Sequence, residues 1–138
     1  MSTVDRFRAA VEKGDLDALP ELFAEDVKFY SPVKFTPFEG REMVMGLFGV
    51  LLRTFRDFRY VGELEGTAEL AAGGEAPSHI LIFRADVDGR QIHGIDLIQV
   101  DGDDRITEFT VMVRPQSAVV ALGEAVLRGL VEDGLVEG

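Results

Sequence analysis

Apolar residues recur every three or four positions early in the chain and every second position late in it. Val4, Phe7 and Val11 fall at helical spacing behind Ser2 or Thr3 as a cap, and Gly14 ends that helix. Asp15 then caps a short second helix turning Leu16, Leu19, Leu22 and Phe23 inward, with a break or a new first turn at Pro20. Residues 26–31 (DVKFYS) read as a strand closed by Pro32, and 33–40 as a loop carrying Phe35 and Phe38. From Arg41 to Phe55 a wide face of Met43, Val44, Leu47, Phe48, Leu51, Leu52 and Phe55 predicts a largely buried helix.

Alternation then takes over. Strands are expected over 58–65, 79–87, 90–100 and 106–114. Asp88-Gly89 has the chemistry of a two-residue hairpin turn. Residues 67–76 read less clearly, as a short strand ending at Gly73-Gly74. Pro115 opens a terminal helix with Val119, Leu122, Val126 and Leu130 on one side. Helices, a strand, a helix and an antiparallel meander make one α+β domain over residues 1–138. Its strongly curved, mainly antiparallel sheet packs against the N-terminal helices as a cone, and a cone leaves a pocket.

One residue breaks the apolar pattern. In QIHGIDLIQV (91–100), Asp96 stands among Ile92, Ile95, Leu97, Ile98 and Val100. A carboxylate there is costly unless it is paired, hydrogen-bonded or protonated. Counting outward from Asp88-Gly89 puts Leu81 opposite Asp96, Phe83 opposite Gly94 and His79 opposite Ile98. Aligning Val100 with Thr107 puts Val111 opposite Asp96 and Phe109 opposite Ile98. One face then carries His79, Leu81, Phe83, Ile92, Gly94, Asp96, Ile98, Phe109, Val111 and Val113, with His79 a diagonal neighbour of the acid. The other face, with Ile80, Ile82, Arg84, Asp86, His93, Ile95, Leu97, Gln99, Glu108, Thr110 and Met112, mixes large apolar and polar groups, is too apolar for plain solvent and suits a homodimer interface.

Charge and composition narrow the partners. A net charge of −11 opposes phosphate backbones and anionic lipid surfaces, so neither nucleic acid nor membrane is expected. With no cysteine, thiolate metal sites and disulfides are excluded. The two histidines fall on opposite faces, and Asp101, Asp103 and Asp104 lack the bidentate Glu of a calcium loop, so no metal is expected. No apolar run approaches a membrane span or a signal h-region, and the expectation is a cytoplasmic protein.

The order of elements, with AVEKGDLDALPELFAEDVKFYSP near the start and GRQIHGIDLIQVDGDDRITEFTVM near the end, resembles the nuclear transport factor 2-like superfamily. That group of cone-shaped proteins includes ketosteroid isomerases, polyketide cyclases and limonene-type epoxide hydrolases. The resemblance implies that Asp96 matches the acid by which ketosteroid isomerases donate a hydrogen bond to a developing enolate. It also places Ser31 where those isomerases carry their catalytic Asp, and Phe7 where they carry an oxyanion Tyr. The Arg and Asp of the epoxide hydrolases would be Arg84 and Asp86, which the strand count puts on the wrong face. The polyketide cyclase pattern, one acid–base Asp in an apolar pocket, fits Asp96 best, with His79 as its expected assistant.

The sequence therefore predicts a cofactor-independent isomerase- or cyclase-like protein acting on a small apolar carbonyl compound. Asp96 and His79 are the expected catalytic pair. Phe7, Ser31, Leu81, Phe83, Phe109, Val111 and Val113 are the expected ligand-binding lining. A carrier or sensor of an apolar ligand, or a dimeric interaction module with a filled core, is the alternative.

Overall fold

The computed structural model describes residues 2–137. Helix α1 (Thr3–Lys13) is followed by two 3-10 turns, Leu16–Ala18 and Pro20–Leu22. Then come β1 (Phe23–Tyr30), β2 (Phe38–Glu39), α2 (Arg41–Thr54), β3 (Arg56–Glu69), β4 (Glu75–Val87), β5 (Arg90–Val100), β6 (Ile106–Arg114) and α3 (Gln116–Glu132). The six strands form one sheet in the order β2-β1-β6-β5-β4-β3. The β1–β6 pair is parallel and the others are antiparallel.

Local chemistry explains the ends of these elements. Ser2 caps α1 by accepting from the Asp5 N–H at 3.1 Å, and Asp5 accepts from the Ser2 N–H at 3.3 Å. Gly14 closes the helix in the left-handed region, at φ 68°. The second helix expected from Asp15 is instead two short 3-10 turns, and Asp15 makes no side-chain cap. Pro20 has no N–H to give a continuing α-helix, so it opens a new turn. The first strand starts at Phe23, earlier than residue 26, and a two-residue strand, β2, lies within what read as loop.

The hairpin count holds through β4 and β5: Val87 faces Arg90, Phe83 faces Gly94, Leu81 faces Asp96 and His79 faces Ile98. Asp88 and Gly89 have φ of 49° and 79°, as a type I′ turn requires. Val111 lies opposite Asp96 and Phe109 opposite Ile98 as counted, but Val100 pairs with Ile106, not Thr107. An irregularity between Gln99 and Val100 absorbs the extra residue. Strands β3 and β4 also run further than expected, to Glu69 and from Glu75, because Thr67 to Glu69 pair with Glu75 to Pro77.

The three helices cover the concave face of the sheet. Phe7 of α1 and Phe48 of α2 both meet Phe109 of β6, with ring centroids at 5.2 and 5.4 Å, and Phe29 of β1 stacks on Phe109 at 5.2 Å. Helices α2 and α3 approach so closely that a Cβ on Gly129 would lie 2.5 Å from Val50 Cγ1. Gly94 is equally constrained: a Cβ there would lie 2.5 Å from the Phe83 ring and 2.8 Å from the Met112 carbonyl oxygen. The bare backbone lets the Phe83 ring lie across β5, where it stacks with Phe58 at 5.0 Å. No helix among the described residues is long and apolar enough to cross a membrane.

Candidate active site

A cavity of about 360 Å³ remains between the concave face and the helices. Its wall is aromatic and aliphatic: Phe7, Phe29, Phe48, Phe83 and Phe109 from one side, Leu122, Val126 and Leu130 of α3 from the other. Its polar lining is sparse, consisting of Ser31, Lys34, Tyr60, Asp96 and Glu137. Val33, Lys34 and Leu127 reach solvent and mark the mouth, between the loop after β1 and helix α3. The core is not filled, which removes the filled-core expectation. Phe38 contributes to the wall, whereas Phe35 is 98% exposed and neither gates nor packs.

Asp96 lies in this wall at 6% exposure. Its position follows from strand alternation: Asp96 shares the concave face with Ile98 and Ile92, while Ile95 and Leu97 point away. The Tyr60 hydroxyl, on β3, donates to Asp96 Oδ2 at 2.9 Å. Burial pushes the Asp96 carboxyl up to about 7, and the Tyr60 hydrogen bond opposes that rise by favouring the anion. Tyr60 is itself raised well above its ordinary value, by burial first and then by the Asp96 charge beside it. Arg8 sits over the far face of the Tyr60 ring, 5.6 Å from its centroid, and reaches Glu63 at 3.6 Å. The acid therefore changes protonation near neutral pH and is held by one phenol.

The other predicted residues divide. Phe7, Ser31, Phe83, Phe109 and Val111 line the cavity with Asp96. His79, Leu81 and Val113 do not. His79 has the expected register but not the expected contact. Its Nδ1 is buried and bonds to no described group, and the hydrogen-bond partner of Asp96 is Tyr60 instead. Fully buried Ile98 lies directly opposite the histidine and fully buried Leu81 two residues along its strand, and none of the three lines the cavity. Val113 lies beyond Asp96 on β6, only partly buried, beside a shallow groove with His93 and Arg114. On the convex face, His93 pairs across strands with Arg84 and Arg114. Its pKa is lowered by partial burial and then by those two guanidinium groups.

Tyr60 carried no role in the sequence reading. The signal lay in a register that could not be counted without the β3–β4 turn: Tyr60 pairs with Phe83, directly beside the acid's strand. Irregularities between Arg56 and Arg59 and between Tyr60 and Gly62 hide the alternation that would have shown it.

A curved six-stranded sheet with helices packed on its concave face is the α+β architecture of cystatin-like, nuclear transport factor 2-like proteins. The SnoaL-like domain family matches residues 4–109, and the chain belongs to that family. It is similar over 97% of its length to a steroid delta-isomerase from Pseudomonas aeruginosa, at 36% identity, 93% coverage of that chain and a TM-score of 0.85. It is also similar to an uncharacterised cystatin-like protein from Silicibacter pomeroyi DSS-3, at 30% identity over 96% of this chain and 87% of that one, with a TM-score of 0.83. A putative SnoaL-like polyketide cyclase from Shewanella denitrificans OS-217 shares the fold at 15% identity and a TM-score of 0.61, over 88% of this chain and 95% of that one. No curated protein matches the chain.

Proposed function

We propose that the protein is a cofactor-independent proton-transfer enzyme acting on a small apolar carbonyl compound, with Asp96 as its acid–base group. The observation that carries this reading is the Tyr60–Asp96 pair in the wall of an otherwise apolar cavity. A carboxyl titrating near 7 serves as base and as acid at working pH, which is where general catalysis is most efficient. The ionised carboxylate removes a proton from a carbon beside the carbonyl. The C–H electron pair moves toward the carbonyl oxygen as an enolate, and Asp96 becomes the acid. The acid proton, which exchanges with solvent while the enolate persists, is returned to carbon. It goes to the original position or, in a substrate with a double bond β,γ to the carbonyl, to the γ carbon, in which case the double bond moves into conjugation. The steroid delta-isomerase similarity supports a reaction of this class.

The test is hydrogen–deuterium exchange beside the carbonyl in a panel of apolar ketones, followed by NMR in D2O. Exchange should rise with pH through about 7 as the carboxylate forms. Asp96→Asn should lower it by roughly 100-fold or more, the usual worth of a positioned acid–base group. Unchanged exchange in that variant would remove Asp96 from the chemistry and leave a carrier of apolar ligands. We further propose that a second copy of the chain covers the convex face, where Met112 is 54% exposed beside half-buried Ile80, Ile82, Ile95 and Leu97. Sedimentation should show a dimer that Met112→Glu weakens, and a monomeric wild type would end that proposal.

A further inference from the structure

Ser31 follows directly on β1 and lines the cavity from the loop at its mouth. Its hydroxyl oxygen accepts the backbone N–H groups of Val33 and Lys34, each at 3.3 Å. A serine hydroxyl has two lone pairs and one proton. Both lone pairs are therefore engaged by the loop's own backbone, in the manner of a serine turn. The proton has no acceptor among the described residues. Ser31 is thus fixed with its accepting side occupied and its donating side free.

The neighbouring lining has the same character. Pro32 offers no N–H, and the Lys34 ammonium lies 4.2 Å from the centroid of the Phe38 ring, itself part of the wall. Among the described residues, Glu137 is the only carboxylate in the lining besides Asp96. Of these groups Ser31 alone is short, half-buried and pinned at two points.

We infer that Ser31 is the hydrogen-bond donor that receives the carbonyl oxygen of the ligand, so that the carbon skeleton faces Asp96. The inference rests on the proposed Asp96 chemistry and adds the orientation of the substrate to it. In the proton-transfer step, charge develops on that oxygen, and the Ser31 O–H is placed to stabilise it. Ser31 cannot remove a proton, because its oxygen is already saturated with donors. Asp96 is then the one group that both takes and returns the proton, which requires both carbon positions to lie on one side of the substrate. The ligand class is a flat or gently curved apolar ketone or ester with its acceptor toward the mouth, not toward the acid.

Two probes of nearly the same shape separate the possibilities: 2-acetylnaphthalene, which carries the acceptor, and 2-isopropenylnaphthalene, which does not. Affinities are read by calorimetry at pH 5 and pH 9, on either side of the Asp96 titration. The wild type should bind the ketone about fivefold more tightly than the alkene at both pH values, the usual worth of one such hydrogen bond. Ser31→Ala also frees the Val33 and Lys34 N–H groups and can shift both affinities, so the readout is the ratio. It should fall to about one in Ser31→Ala and be restored in Ser31→Thr, which keeps the hydroxyl. A ratio that survives Ser31→Ala but disappears in Asp96→Leu, or that vanishes at pH 9, places the oxygen at Asp96. That outcome overturns the Ser31 assignment and leaves Asp96 as a donor. Equal affinity for both probes in the wild type, or no binding of either, also overturns the assignment. The exchange experiment on Asp96→Asn fails or succeeds independently of all these results.

Discussion

Two buried carboxylates lie on adjacent strands and face opposite sides of the same sheet. Asp96 on β5 points into the cavity at 6% exposure; Glu108 on β6 points to the convex side at 4%. Glu108 accepts two backbone N–H groups, from Ala71 at 2.8 Å and Ala72 at 3.1 Å, and so ties down the tip of the β3–β4 hairpin. Gln99 beside it reaches the carbonyls of Ala68 and Glu69, each at 3.2 Å, and the Ser78 hydroxyl. Asp96 has one donor, a phenol, and aromatic carbon around it. Burial alone thus does not make a reactive acid. The Glu108 carboxylate is surrounded by donors that hold a loop in place, whereas Asp96 keeps an oxygen free beside an open chamber.

That contrast can be broken from the wall inward. Phe109→Ala removes the ring on which Phe7, Phe29 and Phe48 converge, and urea denaturation should show a loss of about 3–5 kcal/mol. The enlarged, wetter chamber should also let the Asp96 carboxyl fall back toward the ordinary carboxylate range. An Asp96 that still titrated near 7 in that variant would mean the aromatic wall is not what raises it.

The next largest effect is a pH dependence. Asp96 is raised in the fold, so the folded chain holds a proton that the unfolded chain has released. Stability from this group is therefore full below about pH 4, falls as pH rises, and levels off above about 7. Just over three pH units at 1.36 kcal/mol each set a ceiling of about 4 kcal/mol on the loss. Asp96→Asn has no such titration, so its stability relative to wild type should climb by up to that amount between pH 4 and pH 9. Parallel stability curves for the two proteins would contradict the assigned titration.

Glu108 should behave differently. Glu108→Ala leaves the Ala71 and Ala72 N–H groups without their acceptor and should cost about 1–3 kcal/mol. Faster hydrogen exchange at the hairpin tip should accompany it, with the cavity acid's titration unmoved. Tyr60→Phe takes away the one donor to the buried Asp96 carboxyl and should cost about 1–3 kcal/mol, toward the low end where the acid is protonated. Because the phenol favours the Asp96 anion, its loss should move the acid's titration further upward, visible by carboxyl-carbon NMR. A downward move would reverse the assigned role of that hydrogen bond.

Much of this was legible in the residues. The Asp88-Gly89 turn sets the β4–β5 register, and that register alone carries Asp96, Phe83 and Gly94 to their observed positions. Phe7 and Ser31 came from likeness to related proteins, and both line the cavity. The misses share a cause. His79 was placed by a diagonal relation on the sheet, which fixes the register but not whether the two side chains meet, and the Asp96 carboxyl bonds to Tyr60 instead. Tyr60 depends on a long-range pairing through the β3–β4 hairpin, whose turn at Gly73 and Gly74 lacks the flanking alternation that makes Asp88-Gly89 readable. Glu108 lies on the outer face as expected, and only its bonds to the tip of that hairpin were not legible. The shift at Val100 arises from an extra residue that no local propensity announces.

The chain contains no tryptophan and only two tyrosines, Tyr30 and Tyr60. Excited at wavelengths too long for its phenylalanines to absorb, the protein emits from these two tyrosines alone, and one of them is hydrogen-bonded to the acid in the chamber wall. Anything that enters the chamber, or any proton that leaves its carboxyl, changes the surroundings of that fluorophore. Occupancy and ionisation can thus be followed by light, on the unlabelled wild-type chain.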